Sequence, residues 1–275
     1  MRRHVSEREI FNKNGFLERK NLFNKKEVAL LLAAAKSPDV TDHAFEMKDR
    51  LGKRSRLTLW FTPGDDTLGL MSRSDRIVGY VQYLLGDGEV CHFHSKVMQK
   101  EPRVGGAWEW HQDYGYWYQN GVLTPNLCSV MIAVDQATVE NGCMQVLKGS
   151  HTMGRVNHVL SGDQAGADME RVEEAKKRFE LVHATMDPGD ALFFHSNTLH
   201  ASDANDSDHP RWAMICCYNA ASNDPYKDSH HPRYTKLDKV NDDQILAVDQ
   251  NNRNQSQAAF ADLNAEDSSA SSLSE

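Results

Sequence analysis

The sequence lacks several features that would assign it to a specialised class of protein. No apolar run approaches the roughly 20 residues that a membrane-spanning helix needs, and no apolar stretch follows the basic start at Arg2 and Arg3. Lys and Arg number 31 against 39 Asp and Glu, the wrong balance for binding a nucleic-acid backbone. We therefore expect an unexported, cytoplasmic protein with no membrane and no nucleic-acid partner.

Cysteine is scarce, and its spacing is not that of a covalent framework. The five cysteines are an odd number, none belongs to a CxxC pair, and each lies in or beside an apolar segment. This pattern favours reduced thiols in a core over disulfides or a cysteine zinc site. With 275 residues, 40% of them hydrophobic, the chain is long enough to bury such a core.

The first part of the chain, residues 1–89, has the hydrophobic period of helices. Asn24 and Glu27 form a capping-box pattern ahead of one apolar helical face. A second amphipathic segment over 72–88 contains Gly86 where a helix would end. We expect a helical N-terminal layer here.

From about residue 90 the period changes to that of strands. Segments rich in β-branched and aromatic residues over 90–220 are separated by Gly, Pro, Asn and Asp, a spacing that suits a sandwich or barrel. A charged insert at about 168–180 predicts a surface helix. We interpret 1–240 as one domain and 241–275, which is polar, as a flexible tail with a short helix near residue 244.

The segment Trp110-His111-Gln112-Asp113 is the first candidate for chemistry. Side chains two residues apart on a strand share a face, so His111 and Asp113 would present a nitrogen and an oxygen to one point. A second histidine, His200, follows another predicted strand. Two histidines and one carboxylate on one face of a metal are the ligands of non-haem Fe(II) oxygenases.

Neighbouring patterns bear on this metal hypothesis. His92 and His94 have the same spacing but no carboxylate, which favours ordinary strand histidines. Arg211 and Ser202 follow His200 by eleven and two residues. A guanidinium beside a hydroxyl suits the far carboxylate of 2-oxoglutarate when its oxo-acid end lies on a metal. Alone, Arg211 would be a surface residue; with the other three it favours the oxygenase.

Together these motifs resemble the phytanoyl-CoA dioxygenase family of Fe(II)- and 2-oxoglutarate-dependent oxygenases. The likeness rests on WHQD at 110–113, NGCMQVLKGSH at 141–151, PGDALFFH at 188–195 and the segment from His200 to Arg211. Lys148 departs from the family, where a proline is common. The resemblance implies an α+β, mainly β fold: a double-stranded β-helix (jelly roll, cupin-like) with N-terminal helices packed on one sheet.

The resemblance also implies a set of site residues. His111, Asp113 and His200 would bind Fe(II), with 2-oxoglutarate and O2 as cosubstrates, and Arg211 with Ser202 would bind the distal carboxylate of 2-oxoglutarate. Halogenating relatives have a small residue at the Asp113 position, so the carboxylate here favours hydroxylation.

Four further contacts follow from the same resemblance. The strand before the WHQD motif contributes cosubstrate contacts in relatives, which points to Lys96 and Gln99. These two lie on opposite strand faces unless a bulge intervenes, so at most one of them is expected in the site. A tryptophan at the offset of Trp117 lines the substrate pocket of small-substrate relatives, and Tyr116 is the second aromatic candidate.

The substrate class remains open between two kinds of molecule. Aromatic faces suit an ammonium group, and the basic run over 50–56 suits an anion if it folds over the site. These features favour a small polar metabolite of amino-acid, betaine or aminoalkylphosphonate type, with an acyl-CoA as the alternative. A non-catalytic jelly-roll module that only binds a ligand is a rival, and a cupin-like hydrolase or isomerase leaves Arg211 unexplained. The sequence fits a monomer or a homodimer.

Overall fold

The computed structural model describes residues 6–86, 88–161, 163–229, 237–248 and 260–261. Its helices are α1 (Glu7–Asn14), α2 (Lys25–Ala35), α3 (Pro38–Thr41), α4 (Thr67–Arg73), α5 (Asp75–Leu85), α6 (Asp113–Trp117), α7 (Met169–Lys176) and α8 (Gln244–Ala247). Its strands are β1 (Phe16–Arg19), β2 (Phe45–Lys48), β3 (Arg54–Trp60), β4 (Val90–Lys100), β5 (Trp108–His111), β6 (Leu127–Ala133), β7 (Met144–Lys148), β8 (His158–Ser161), β9 (Gln164–Ala167), β10 (Glu180–Ala184), β11 (Ala191–His195), β12 (His200–Ser202) and β13 (Arg211–Ala220). The architecture is mainly β with several helices, as predicted.

The strands form two main antiparallel sheets and a hairpin. The large sheet has the order β1-β11-β6-β13-β4-β3-β2, and the small sheet has the order β10-β7-β12-β5. The hairpin is formed by β8 and β9. In each sheet, strands distant in sequence lie side by side, so residues from far apart in the chain share one interior.

The large sheet is buried on both faces, and strand alternation decides which core each side chain joins. On β13, Ala213 and Ile215 pack in the core between the two sheets. Trp212 and Met214 point the other way, into a core shared with the helices. Both faces of β13 are therefore apolar, as in a central strand covered by helices on one side.

The helical layer contains the end signals that the sequence predicted. Asn24 caps α2 through the backbone N–H groups of Lys26 and Glu27, and the Glu27 side chain closes the capping box. Gly86 ends α5 in the left-handed conformation at φ 106°. Leu31 of α2 and Ile77 of α5 are fully buried in the core against the large sheet. The insert at 168–180 forms α7, capped by Asp168, as predicted.

Residues 1–89 are less purely helical than predicted, because β1, β2 and β3 also lie there. Strand β1 pairs with β11, more than 170 residues later in the chain, and β3 pairs with β4. Four-residue strands such as β1 and β2 carry too little alternation to be recognised, and their partners are distant. The N-terminal part therefore extends the large sheet as well as covering it.

The C-terminal segment differs in part from the predicted flexible tail. Ile245 of α8 is fully buried and Val248 is nearly so. Phe260 stacks on His43, with the ring centroids 4.5 Å apart, and forms a β-bridge with Trp60. These residues pack on the body because they carry apolar groups, whereas the rest of the predicted tail beyond Val248 lies outside the described residues.

Two findings concern the cysteines and the helices in the part of the chain that is described. All five cysteines are free and buried. In the same residues, none of the helices has the length and apolar character required to cross a membrane.

Candidate active site

Three side chains from different parts of the sequence converge between the two sheets. His111 ends β5, and His200 begins β12, its direct partner in the small sheet. The two imidazole rings lie 4.0 Å apart between centroids. Asp113 Oδ1 lies 3.6 Å from Nε2 of His111 and 3.9 Å from Nε2 of His200. All three are buried, and they are the one group of this kind among the described residues whose ligand atoms lie within 4.8 Å of one another.

Backbone carbonyls fix the orientation of both imidazoles. His111 donates from Nδ1 to the Glu109 carbonyl at 2.7 Å, and His200 donates from Nδ1 to the Thr198 carbonyl at 2.9 Å. A carbonyl only accepts, so each Nδ1 carries the proton and each Nε2 keeps its lone pair toward Asp113. Neutral imidazole with a free nitrogen is the form that binds a metal.

The charge state of the three groups suits a divalent cation. Burial lowers the pKa of His200 to about 3, with His111 adding to the effect. Burial alone would raise the pKa of Asp113, but the nearby His111, His200 and Lys96 hold it below its usual range. The site therefore offers two neutral nitrogens and one carboxylate.

Asp113 lies on a different secondary-structure element from the one predicted. Strand β5 stops at His111, and Asp113 is the first residue of α6 rather than a strand residue. Gln112 between them is still extended, at φ −110° and ψ 131°, so the two side chains stay on one side. The Gln112 side chain is buried and bonded to the carbonyl of Asn197 and the N–H of Val156. These bonds hold the turn in place.

Arg211 and Ser202 line the same pocket as His111, Asp113 and His200. Arg211 is buried and donates from Nη2 to the Gly142 carbonyl at 2.6 Å, while its Nε has no hydrogen-bond partner in the part of the chain that is described. Burial lowers the pKa of Arg211 to about 10. Gly142 is at φ 76°, and a Cβ there would meet the Asp203 carbonyl at 2.2 Å. Only glycine allows this close approach, which explains the Asn-Gly pair.

Lys100 is a buried basic residue beside Arg211 and Ser202 that the sequence reasoning missed. It is the cross-strand partner of Arg211 and donates from Nζ to Ser202 Oγ at 2.7 Å. Burial, together with the adjacent Arg211, lowers the pKa of Lys100 well below its usual value. The available signal was its spacing, because Lys100 is four residues after Lys96 and therefore on the same strand face.

The structure separates the two cosubstrate candidates on β4. Lys96 lines the pocket with His111 and Asp113, and its Nζ lies 5.9 Å from the ring centroid of Trp108. The Gln99 side chain lies on the opposite face of β4 and borders an outer cleft beside Arg56. The prediction of Gln99 as a site residue is therefore corrected, because no bulge near it reverses the strand parity.

The two aromatic candidates have different surroundings. Tyr116 stacks beside His111, with ring centroids 5.5 Å apart, and also packs on His158 at 5.1 Å. Trp117 is 3% exposed and packs against Phe93 and His94 in the core between the sheets. Residues of α6 successive in sequence point in different directions, which explains the contrast. Trp117 thus packs in the apolar core between the sheets, whereas Tyr116 lies beside His111.

The His92–His94 pair and the basic run lie outside the cluster of His111, Asp113 and His200. His92 hydrogen-bonds to Ser95 and the Phe61 carbonyl, so the alternative His92–His94 pair does not converge on one point. In the basic run, Lys53 pairs with Asp206, and Arg54 pairs with Glu46.

The pocket between these residues is mostly apolar outside its polar ends. Its lining consists of Lys96, Met98, Trp108, His111, Asp113, Met131, Met144, Phe194, His200, Ala201, Ser202, Arg211 and Ile215. Two basic side chains, Lys96 and Arg211, share this lining with His111, Asp113 and His200. This layout accepts an elongated anion that reaches from the cations to a metal.

Comparison with known proteins gives one family. The sequence model of the phytanoyl-CoA dioxygenase family (PhyH) matches residues 11–213. L-proline trans-4-hydroxylase of Streptomyces griseoviridis is 29% identical over 177 residues, which cover 58% of this chain and 66% of that protein. Ectoine dioxygenase of Sphingopyxis alaskensis is 26% identical over 229 residues, covering 78% of this chain and 74% of that protein.

Solved structures share the fold. The crystal structure of EctD from S. alaskensis with bound Fe superposes with a TM-score of 0.71 at 23% identity, covering 85% of this chain and 86% of that one. The 2-oxoglutarate-dependent epimerase SnoN from nogalamycin biosynthesis gives a TM-score of 0.65 at 18% identity, covering 85% and 97%.

Proposed function

The chain belongs to the phytanoyl-CoA dioxygenase family, whose sequence model spans most of it, and from this premise we propose that it is an Fe(II)- and 2-oxoglutarate-dependent hydroxylase of a small polar metabolite. The observation that carries the proposal is the buried meeting of His111, Asp113 and His200, with both histidine Nε2 atoms directed at one carboxylate oxygen. The retained carboxylate favours hydroxylation over halogenation.

The donor set fits Fe(II). Two neutral imidazoles and one carboxylate on one side of an ion leave its other positions open, which is the arrangement of non-haem iron oxygenases. Iron bound there, with 2-oxoglutarate and O2, supplies the chemistry that converts an unactivated C–H bond to an alcohol while 2-oxoglutarate becomes succinate and CO2. The chain itself fixes the ligands through the Glu109 and Thr198 carbonyls.

Two buried basic side chains suit the distal carboxylate of 2-oxoglutarate. Arg211 and Lys100 are buried beside each other, and Ser202 adds a hydroxyl. Charge-assisted hydrogen bonds from two cations hold a carboxylate more firmly than neutral donors do. We assign Arg211, Ser202 and Lys100 to this carboxylate, and Lys96, at the metal end of the same strand face, to the oxo-acid end.

The substrate class follows from the relatives and from the pocket. The relatives act, by name, on L-proline and on ectoine, both small polar molecules. In this chain Tyr116 and Trp108 border the metal-ligand group, and the adjacent lining is apolar. Aromatic faces there favour an amino-acid-like or betaine-like substrate over a purely apolar one.

The acyl-CoA alternative finds less support. It requires several cations free to meet the phosphates of coenzyme A, and the basic run over 50–56 is the one cationic cluster that the sequence analysis offered for an anion of either kind. Lys53 and Arg54 of that run are instead engaged in ion pairs with Asp206 and Glu46. The smaller substrate therefore fits better.

We assign the fold to the double-stranded β-helix, with residues 1–240 as a single dioxygenase domain. Two antiparallel sheets enclose the metal-ligand group, and helices cover the outer face of the large sheet, which supports the assignment. In this arrangement the ligands come from β5, α6 and β12, all at the small sheet.

Turnover of 2-oxoglutarate tests the proposal. The protein, purified without oxygen and loaded with Fe(II), is given O2, 2-oxoglutarate and a panel of free amino acids, ectoine, betaines, aminoalkylphosphonates and acyl-CoAs. We expect O2-dependent succinate formation that one small polar class stimulates. Succinate formation stimulated only by acyl-CoAs would transfer the assignment to the alternative, and none under any condition would contradict the oxygenase.

The His111→Ala variant provides the control for iron-dependent turnover. The exposed His209→Ala substitution is the matched control for replacing a histidine elsewhere on the chain. Succinate formation should be lost only in the first variant.

A further inference from the structure

The two carboxylate oxygens of Asp113 have different partners. Oδ1 faces the Nε2 atoms of His111 and His200 at 3.6 and 3.9 Å. Oδ2 turns away from them and accepts a hydrogen bond from Ser129 Oγ at 2.7 Å. Only one oxygen is therefore directed to the position that a metal would take.

Ser129 is held rigidly in the middle of the large sheet. It lies on β6, paired with Phe194 of β11 on one side and Cys217 of β13 on the other. It is fully buried, so no solvent competes for its hydroxyl. A residue fixed by strand ladders on both sides can hold a neighbouring carboxylate without moving.

The direction of this hydrogen bond follows from the chemistry of the pair. An ionised carboxylate only accepts, so the Ser129 hydroxyl must donate its single proton to Asp113. Cys217 Sγ lies 3.4 Å from the same hydroxyl oxygen. Because the serine proton is already engaged, the thiol is the donor in that contact. The result is a chain of donors from Cys217 through Ser129 to Asp113.

We propose that Ser129 is a positioning residue that keeps Asp113 a one-oxygen metal ligand and thereby preserves an open metal position for cosubstrate or O2. The inference rests on the proposed function. An octahedral ion that takes one atom from each of three protein ligands has three positions left, enough for the two oxygens of a chelating 2-oxo acid and for O2. A carboxylate that binds through both oxygens takes one of those positions away.

Removal of the Ser129 hydroxyl tests this directly. Ser129→Ala removes the hydrogen bond that holds Oδ2, so the carboxylate is free to bind through both oxygens. We expect Fe(II) affinity to stay within about threefold of the wild type. The dissociation constant for 2-oxoglutarate should rise by about tenfold or more, because the lost hydrogen bond to the charged Asp113 is what keeps its second oxygen from taking that metal position. The visible charge-transfer absorption of the Fe(II)–2-oxoglutarate complex should shift or weaken, and the d–d spectrum of the Co(II)-substituted protein should change.

A matched control separates positioning from packing. Ser55 is also a fully buried strand serine, but it donates to the Gly106 carbonyl. Ser55→Ala should leave 2-oxoglutarate affinity and both spectra unchanged. Ser129→Thr, which keeps the hydroxyl, should retain the wild-type spectra and most of the affinity.

Each outcome supports or overturns the positioning role of Ser129. Wild-type affinity and spectra in Ser129→Ala would overturn the inference, as would equal losses in Ser129→Ala and Ser55→Ala. If Ser129→Ala does not fold, Ser129→Thr decides: retained 2-oxoglutarate binding supports the role, and lost binding in a folded protein rejects it. Failure of the wild type to bind Fe(II) and 2-oxoglutarate would instead reject the proposed function, and this inference with it.

Discussion

Lys100 and Arg211 face each other as direct partners on β4 and β13, and both are buried. Like charges at opposed positions of a sheet repel, and neither cation forms an ion pair with a carboxylate among the residues described. Such a pair is costly unless an anion completes it. A carboxylate bound beside Arg211 and Ser202 would offset this repulsion.

Lys100→Met should weaken the binding of 2-oxoglutarate by about 10- to 100-fold, because one charge-assisted hydrogen bond of about 1.5–3 kcal/mol is lost. Fe(II) affinity should not change, since Lys100 is bonded to Ser202 and not to the metal ligands. Anaerobic isothermal titration of Fe(II) into the metal-free protein measures the Fe(II) affinity, and titration of 2-oxoglutarate into the Fe(II)-loaded protein measures the 2-oxoglutarate affinity. Lys148→Met is the control, at a lysine paired with Glu180 on the surface, and an equal loss there would contradict the account.

Arg211→Gln should raise the apparent KM for 2-oxoglutarate by a similar factor and lower kcat much less. Among the described residues, its guanidinium is bonded to the Gly142 carbonyl alone and its Nε has no hydrogen-bond partner, so it is free to bind an anion. Steady-state succinate formation at varied 2-oxoglutarate gives both constants. An unchanged KM would remove Arg211 from the site.

Trp117 and Tyr116 should respond in opposite ways. Trp117→Ala should lower the free energy of unfolding by about 3–5 kcal/mol, because it empties part of the core between the sheets. Tyr116→Phe should alter the free energy of unfolding by about 1 kcal/mol or less but change the KM for substrate, since Tyr116 stands beside His111. Urea unfolding and substrate kinetics on both variants separate the two effects. A KM for substrate in Tyr116→Phe equal to that of the wild type would argue against a substrate contact.

Stability should fall with pH below about 6.5, partly because of His92. Burial lowers the pKa of His92 to about 4, below the value near 6.5 of an unfolded histidine. The unfolded chain thus binds a proton first, and the neutral folded form loses its advantage as pH falls from about 6.5 toward 4. Between pH 7.5 and 5 this one group should account for about 2 kcal/mol of lost stability.

Urea unfolding at the two pH values measures this contribution. The loss of unfolding free energy between pH 7.5 and pH 5 should be about 2 kcal/mol smaller in His92→Gln than in the wild type. The exposed His209→Gln should behave as the wild type does, and an equal slope in all three proteins would contradict the argument.

The sequence carried the local features of the fold and much of the site. Helices α2 and α5 were predictable because their caps, Asn24 and Gly86, and their apolar faces are contiguous in the chain. Strand β1 could not be predicted, because its four residues form a strand only through their pairing with β11, far along the chain.

The site shows the same division between local pattern and tertiary contact. Strand parity correctly allowed only one of Lys96 and Gln99 into the pocket, yet it could not say which. The offset that pointed to Trp117 did not reveal that α6 begins at Asp113 and turns this ring into the core. Ser129 left no signal at all, since its role depends on β6 passing beside α6.

The most direct test of the account is the absorption spectrum of the anaerobic protein with Fe(II) on addition of 2-oxoglutarate. If His111, Asp113 and His200 hold iron with open positions, the wild type should develop a visible charge-transfer band that saturates with 2-oxoglutarate. His111→Ala and His200→Ala should fail to develop it. A wild type without the band, or a band that persists in both variants, would contradict the assignment.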